Sequence, residues 1–209
     1  MGISVNDSKL AELARLINGW HGLVSAPAAD LIDDCLVLVH HLAGVESLVD
    51  VGSGGGLPGL PLKIVLPQLA VTLVEADGRK AAFLIDACAR LGLGDVSVVG
   101  RRAEDAAHEP ALREAFDVAV ARALAPMPVL VELCLPFVRV GGRLLAQKTQ
   151  AEDVSAAGRA IQTLGGAPPR VVPAATRARD AGVIVVVEKV APTPAAYPRR
   201  SGVPSRRPL

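Results

Sequence analysis

Aromatic residues are scarce. Phe, Trp and Tyr together make up 2% of the 209 residues, so stacking of bases on aromatic rings is not the main binding device available to this chain. Cysteine is as rare. Cys35, Cys88 and Cys134 are odd in number, far apart and form no C-x-x-C pair. With His21, His40, His41 and His108 they give no metal-ligand spacing, so no metal is expected. Isolated cysteines of this kind read as small buried hydrophobes in a reducing, cytoplasmic compartment. There is no run of eighteen apolar residues, so no membrane span or membrane partner is expected. The start of the chain has no basic stretch followed by an apolar segment, which argues against a signal peptide.

What is abundant is Ala, Val and Leu. Hydrophobic residues make up 51% of the chain, enough for a sizeable core, and the length suits one domain with a small appendage. Net charge is only +1, but it is unevenly spread. Residues 1–188 carry 17 basic and 21 acidic groups, and beyond Glu188 lie only Lys189, Arg199, Arg200, Arg206 and Arg207. That is the pattern of a mildly acidic body with a basic arm.

Periodicity divides the chain into three parts: a helical lead-in (1–44), a body (45–191) and a Pro/Arg-rich tail (192–209). Helices are predicted from Asp7 to about Asn18, with Asp7 or Ser8 as cap, and from Ala28 to about Leu42. Strands are predicted at 47–51, 71–75, 96–99, 117–121, 142–147, about 170–173 and 183–190. Helices are predicted at 58–66, 78–91, 104–115, 126–138 and 150–164 between them. This alternation is that of an α/β protein with a mostly parallel seven-stranded sheet and helices on both faces. A short polar loop separates the final two strands, so the last strand should be antiparallel. The tail holds five prolines and no apolar period, and is expected to be extended or irregularly docked.

The most informative stretch is Asp50-Val51-Gly52-Ser53-Gly54-Gly55-Gly56-Leu57. A short apolar run stops in a glycine-dense loop, where the backbone can approach a ligand without a Cβ in the way. The spacing is Gly52-x-Gly54-x-Gly56. A dinucleotide fingerprint would need its third glycine where Leu57 stands. With Asp50 beneath the loop, the pattern suits a nucleoside carrying an amino-acid tail, S-adenosyl-L-methionine, better than a pyrophosphate. Glu75 ends the next strand twenty-one positions after Gly54, where an acid accepts from ribose hydroxyls. A glycine-rich turn with no ligand, and a nicotinamide site, are the competing readings.

Ligands in such sheets sit at the carboxyl ends of the central strands. Gly100-Arg101-Arg102-Ala103-Glu104-Asp105 follows the third strand and would lie near the purine. Arg122 follows the fourth strand in an apolar setting and needs a carboxylate or phosphate partner; it is the candidate for positioning the reactants, with no residue assigned as a catalytic base. Lys148 is similarly placed after the fifth strand. Arg79 opens the helix after the second. No Asp/Asn-Pro-Pro-aromatic run follows the fourth strand, which argues against exocyclic base amines as targets. No cysteine follows a proline or threonine there, which argues against covalent attack on a pyrimidine. A ring nitrogen such as guanine N7 needs no deprotonation. The tail places Arg199, Arg200, Arg206 and Arg207 on a stiff scaffold suited to RNA phosphates.

These residues resemble the RsmG (GidB) family. The resemblance rests on Asp50-Val51-Gly52-Ser53-Gly54-Gly55-Gly56-Leu57-Pro58-Gly59-Leu60-Pro61-Leu62 and on Val74-Glu75-Ala76-Asp77-Gly78-Arg79-Lys80. Arg102-Ala103-Glu104-Asp105, Phe116-Asp117, Arg122-Ala123 and Tyr197-Pro198-Arg199 add to it, and it spans residues 45–209. The resemblance implies a cytoplasmic enzyme of Rossmann-like methyltransferase fold. It implies transfer of a methyl group from S-adenosylmethionine to guanine N7 in the 530 loop of 16S ribosomal RNA, on the free RNA or the small subunit. By the same resemblance Gly52, Leu57, Ala103, Glu104 and Arg122 would contact the cofactor, and Arg79, Lys148, Arg179, Arg199 and Arg200 would face RNA. A monomer is expected. The chain departs from the family where Leu31 replaces a histidine, Gly22-Leu23-Val24-Ser25 replaces an Asn-Leu-Thr-like segment, and Leu124 replaces a phenylalanine. A methyltransferase for another RNA, and a non-catalytic RNA-binding protein with a decayed cofactor site, are the alternatives those departures leave.

Overall fold

A computed structural model describes residues 5–24 and 26–209. Seven strands form one sheet: β1 (Ser47–Val51), β2 (Ala70–Val74), β3 (Val96–Val99), β4 (Phe116–Arg122), β5 (Val138–Thr149), β6 (Arg170–Pro173) and β7 (Gly182–Glu188). Their spatial order is β3-β2-β1-β4-β5-β7-β6. The pairs from β3 through β5 are parallel, and β7 lies antiparallel between β5 and β6. The order reverses between β1 and β4, and a crevice opens at the carboxyl ends there. The mostly parallel sheet with an antiparallel last strand is as predicted.

Residue alternation along the strands divides the core in two. Val49, Val51, Ala119, Ala121, Leu144 and Ala146 turn to one face, with α6 (Met127–Cys134) and α7 (Gly158–Thr163). Leu48, Leu73, Val118, Val120 and Leu145 turn to the other. That second face is covered by α1 (Val5–Gly19), α2 (Ala28–Leu36), α3 (Gly59–Val65) and α4 (Gly78–Leu91). Leu13 and Ile17 of α1 are fully buried in this layer, and Trp20 meets Phe83 edge-on at 5.4 Å, so the N-terminal helices share the body's core. Among the described residues no helix is long and apolar enough to cross a membrane.

Several boundaries differ from the prediction. Helix α1 already includes Asp7 in its first turn, so Asp7 does not stand ahead of it as a cap. Helix α2 ends at Leu36 and a 3₁₀ segment continues to His41. The predicted helix at 104–115 is reduced to α5 (Ala103–Ala106). Pro110 disfavours helical geometry at Glu109 before it, and Glu114 takes a positive φ of 49°. The predicted helix at 150–164 is a 3₁₀ turn followed by α7; the Asp153 side chain binds Ser155 locally.

The tail is docked. Its Tyr197 carbonyl accepts from Arg113 Nη1 at 2.8 Å and its Pro198 carbonyl meets His108 Nε2 at 2.8 Å. Arg199 pairs with Glu132 of α6 through Nε (2.8 Å) and Nη2 (2.6 Å), and Glu132 has no exposed surface. A short helix, α8 (Val203–Arg206), follows. Arg199 therefore stitches the tail to the body and does not face outward as the sequence reading expected. Arg199→Ala should strand a buried carboxylate and cost about 3 kcal/mol, read as a lower urea midpoint at unchanged slope. An unchanged midpoint would contradict this docking.

Candidate functional site

The glycine loop leaves β1 and turns back against β2. The Gly52 and Ser53 amides both donate to the Val74 carbonyl, at 2.8 and 3.1 Å. Gly52 has a φ of +74°, and a Cβ there would stand 2.5 Å from Leu124 Cδ1, so only glycine fits. Gly54 (φ +55°) is different: an added Cβ would meet nothing nearer than 3.9 Å. Its amide donates to Glu75 Oε2 at 2.8 Å, while Glu75 Oε1 accepts from the Asp77 amide at 2.8 Å. Asp77 in turn caps α4 through the Arg79 and Lys80 amides.

A cavity of about 350 Å³ opens over this loop. Gly52, Gly54, Leu57, Glu75, Ala103, Glu104 and Arg122 all line it. Residues up to 70 positions apart thus converge at the crevice between β1 and β4. Asp50 and Gly56, two further candidates, are not on the cavity wall. Asp50 is fully buried beneath the loop, and its Oδ2 accepts from the Gly59 amide at 2.9 Å. Gly56 makes room for Leu60, whose Cδ1 would lie 2.3 Å from an added Cβ. Both shape the loop from below, because the helix that follows packs directly against it.

The structure also brings in residues the sequence reading missed. Leu23 and Val24, from the segment before α2, form an apolar side of the cavity, and Lys80, Arg101 and Arg102 form a basic one. Arg101 and Arg102 lie in the loop already singled out, and Leu23 and Val24 in the Gly22-Leu23-Val24-Ser25 segment, which the sequence marks as a departure from the family and not as a cavity wall. Glu104 is almost fully buried and accepts from the Gly202 amide of the tail at 2.8 Å. Burial would raise its pKa, but that bond and the Arg102 pair outweigh it and hold it below the ordinary carboxylate value.

The cations expected to face RNA divide into two groups. Arg79, Arg200, Arg206 and Arg207 are exposed. Lys148 and Arg179 turn inward, as Arg199 does. Lys148 Nζ donates to the Ala125 carbonyl and to Glu152 Oε2 at 3.0 Å, and Glu152 Oε1 accepts from the Met127 amide that opens α6. Arg179 reaches across the β6–β7 hairpin to Asp34, the Lys148 carbonyl and the Val183 carbonyl. Turned away from water, each of these cations needs such a partner, because an uncompensated buried charge is strongly destabilising. Arg122, at the end of β4, also reaches Asp34, with Nε 3.3 Å from Oδ2. Among the described residues no group of three or more His, Cys, Asp or Glu could hold a metal.

The sheet order and the loop over the β1–β4 crevice define the Rossmann-like fold of S-adenosylmethionine-dependent methyltransferases. Solved structures share this fold: a SAM-dependent O-methyltransferase from Thermotoga maritima superposes with a TM-score of 0.60 at 16% identity, covering 91% of this chain and 73% of that one. Residues 9–180 match the family described as rRNA small subunit methyltransferase G (GidB). A ribosomal RNA small subunit methyltransferase G of Roseiflexus sp. (strain RS-1) is 50% identical over 223 aligned positions, covering all of this chain and 95% of the relative. One of Dehalococcoides mccartyi (strain CBDB1) is 40% identical over 85% of this chain and 77% of its own length. The chain belongs to the rRNA small subunit methyltransferase G family.

Asp50 gives this site a pH signature. Burial pushes its carboxyl up to about 7, against the Gly59 hydrogen bond that lowers it; Glu75 nearby adds to the rise. Unfolding restores an ordinary value near 3.8. Between about 4 and 7 the unfolded chain therefore gives up this proton first, and stability should fall as pH rises through that window. Asp50→Asn keeps an acceptor for Gly59 and should flatten this part of the stability-against-pH curve in urea titrations. A slope as steep as the parent's would contradict the assignment.

Proposed function

We propose that this protein binds S-adenosyl-L-methionine in the 350 Å³ cavity and methylates guanine N7 in the 530 loop of 16S ribosomal RNA. The single observation that carries the reading is the loop itself: Gly54, free of steric neighbours and bonded to Glu75, stands where a nucleoside with an amino-acid tail would need backbone access. The donor set fits that ligand. Glu75 would take the ribose hydroxyls, Ala103 and Glu104 would flank the purine, and Gly52, Leu57 and Arg122 would hold the amino-acid end. Asp50 and Gly56 would support these contacts from beneath. Bound there, the cofactor would supply an electrophilic methyl group on a sulfonium.

The pocket's chemistry suits a ring nitrogen. Guanine N7 carries its own lone pair and loses no proton, so the protein has to align and shield the reactants and needs no base. The two carboxylates on the cavity wall, Glu75 and Glu104, are both engaged with backbone amides. The exposed Arg79, Arg200, Arg206 and Arg207 would carry RNA phosphates, with Lys80, Arg101 and Arg102 at the cavity. The acting unit is proposed to be one chain, in the cytoplasm; its three cysteines are all unpaired.

Incubated with labelled S-adenosylmethionine and small subunits lacking 7-methylguanosine, the protein should label one guanosine, in the 530 loop. Glu75→Ala should abolish that label and weaken cofactor binding at least about tenfold by calorimetry. Label elsewhere would overturn the target, and no cofactor binding by the parent would overturn the reaction. Replacing Arg200, Arg206 and Arg207 together by Gln should weaken subunit binding and flatten its dependence on salt by about three phosphate contacts, with cofactor affinity kept. An unchanged salt slope would contradict the phosphate role of these arginines.

A further inference from the structure

Three segments far apart in sequence meet at Asp34. The residue lies in α2 with no exposed surface. Its Oδ1 accepts from Thr176 Oγ1 at 2.7 Å and from Arg179 Nε at 3.0 Å, both in the loop joining β6 to β7. Its Oδ2 lies 3.3 Å from Arg122 Nε, at the end of the strand beside β1. Gln147 of β5 fixes the Asp34 backbone by donating to its carbonyl at 2.7 Å.

Arg122 uses only its Nε here; among the described residues its two terminal nitrogens have no hydrogen-bond partner, and the side chain lines the cavity at 20% exposure. The charges do not balance either. Two guanidiniums share one carboxylate, so the cluster keeps a net positive charge at the cavity wall. A guanidinium held by Nε and open at both terminal nitrogens is a fork for a planar or tetrahedral anion.

We propose that Asp34 is a positioning residue. It clamps the Nε edge of Arg122, with Arg179 and Thr176 holding the carboxylate from the other side, so that Arg122 presents its open fork to an anionic group in the cavity. The two sources of such a group are the carboxylate of the cofactor's amino-acid tail and a phosphate of the RNA. The helix before the sheet and the hairpin after it thereby set the geometry of a residue at the sheet's centre. This inference rests on the methyltransferase reading for the identity of its ligands.

The test is a double-mutant cycle of Asp34→Asn with Arg122→Gln. Two affinities are read: S-adenosylhomocysteine by calorimetry, and small subunits lacking 7-methylguanosine by filter binding. Asp34→Asn should lower one of them about tenfold in the parent background and less than about twofold once Arg122 is already Gln. Loss of S-adenosylhomocysteine affinity identifies the tail carboxylate; loss of subunit affinity identifies a phosphate. Equal losses in both backgrounds, or no loss in either, would overturn the proposal. Arg122→Lys, which leaves Asp34 its other partners, guards against a folding failure of Asp34→Asn. It keeps the charge but not the Nε clamp, and should lose nearly as much affinity as Arg122→Gln; parental affinity would overturn the proposal. A parent that binds no S-adenosylhomocysteine would refute the methyltransferase reading itself, whereas a binding parent with an additive cycle refutes this inference alone.

Discussion

A carboxylate sealed from water must be compensated by cations, and Asp34 recruits them from positions 88 and 145 residues further along the chain. Burial alone would push its pKa up; the hydrogen bonds from Arg179 and Thr176, Arg179's charge and the bond from Arg122 outweigh it and hold it below the ordinary value. That one ion cluster ties the second helix to the end of β4 and to the β6–β7 hairpin. The same device recurs at the edges of the fold. Glu132 holds Arg199, and the buried Lys189 meets Glu114 at 3.2 Å beside Thr193. A core built from Ala, Val and Leu offers smooth, similar faces with little to specify which segment docks where. Buried charges are costly unless correctly paired, and each of these pairs joins segments far apart in sequence.

The cavity depends on a second constraint, the space under the glycine loop. Leu124 fills the place of a Gly52 side chain, Leu60 that of Gly56, and Leu73 with Asp50 that of Gly59. Leu124 arrives there because Ala123 takes a positive φ of 51° immediately after Arg122. The turn that delivers Arg122 to the cavity and the packing that closes the loop are thus one local arrangement. The crossing point of the sheet, between β1 and β4, is where both occur.

Much of this was legible in the sequence because it is local. Strand and helix periods gave the sheet, and the separation of Gly54 from Glu75 placed two halves of one site, now joined by a 2.8 Å bond. The glycine spacing, with Leu57 in the third position, pointed to the right class of fold. What was not legible depends on distant partners. Arg179 and Arg199 looked like free cations because nothing in their neighbourhoods shows Asp34 or Glu132 waiting across the fold, whereas Glu152 stands only four positions after Lys148 and was a local signal. The helix expected at 104–115 failed for a local reason that was available in the sequence, Pro110. Leu23 and Val24 reach the cavity only through the packing of α1 and α2 on the sheet.

The central claim is that the glycine loop, Glu75 and an Arg122 clamped by Asp34 form one ligand site. A crystal structure of the protein with S-adenosylhomocysteine tests it most directly. The account predicts the ribose hydroxyls on Glu75, the amino-acid tail over Gly52 and Gly54, and Arg122 still joined to Asp34. Ligand density away from the β1–β4 crevice, or an Arg122 released from Asp34 and turned out of the cavity, would contradict it.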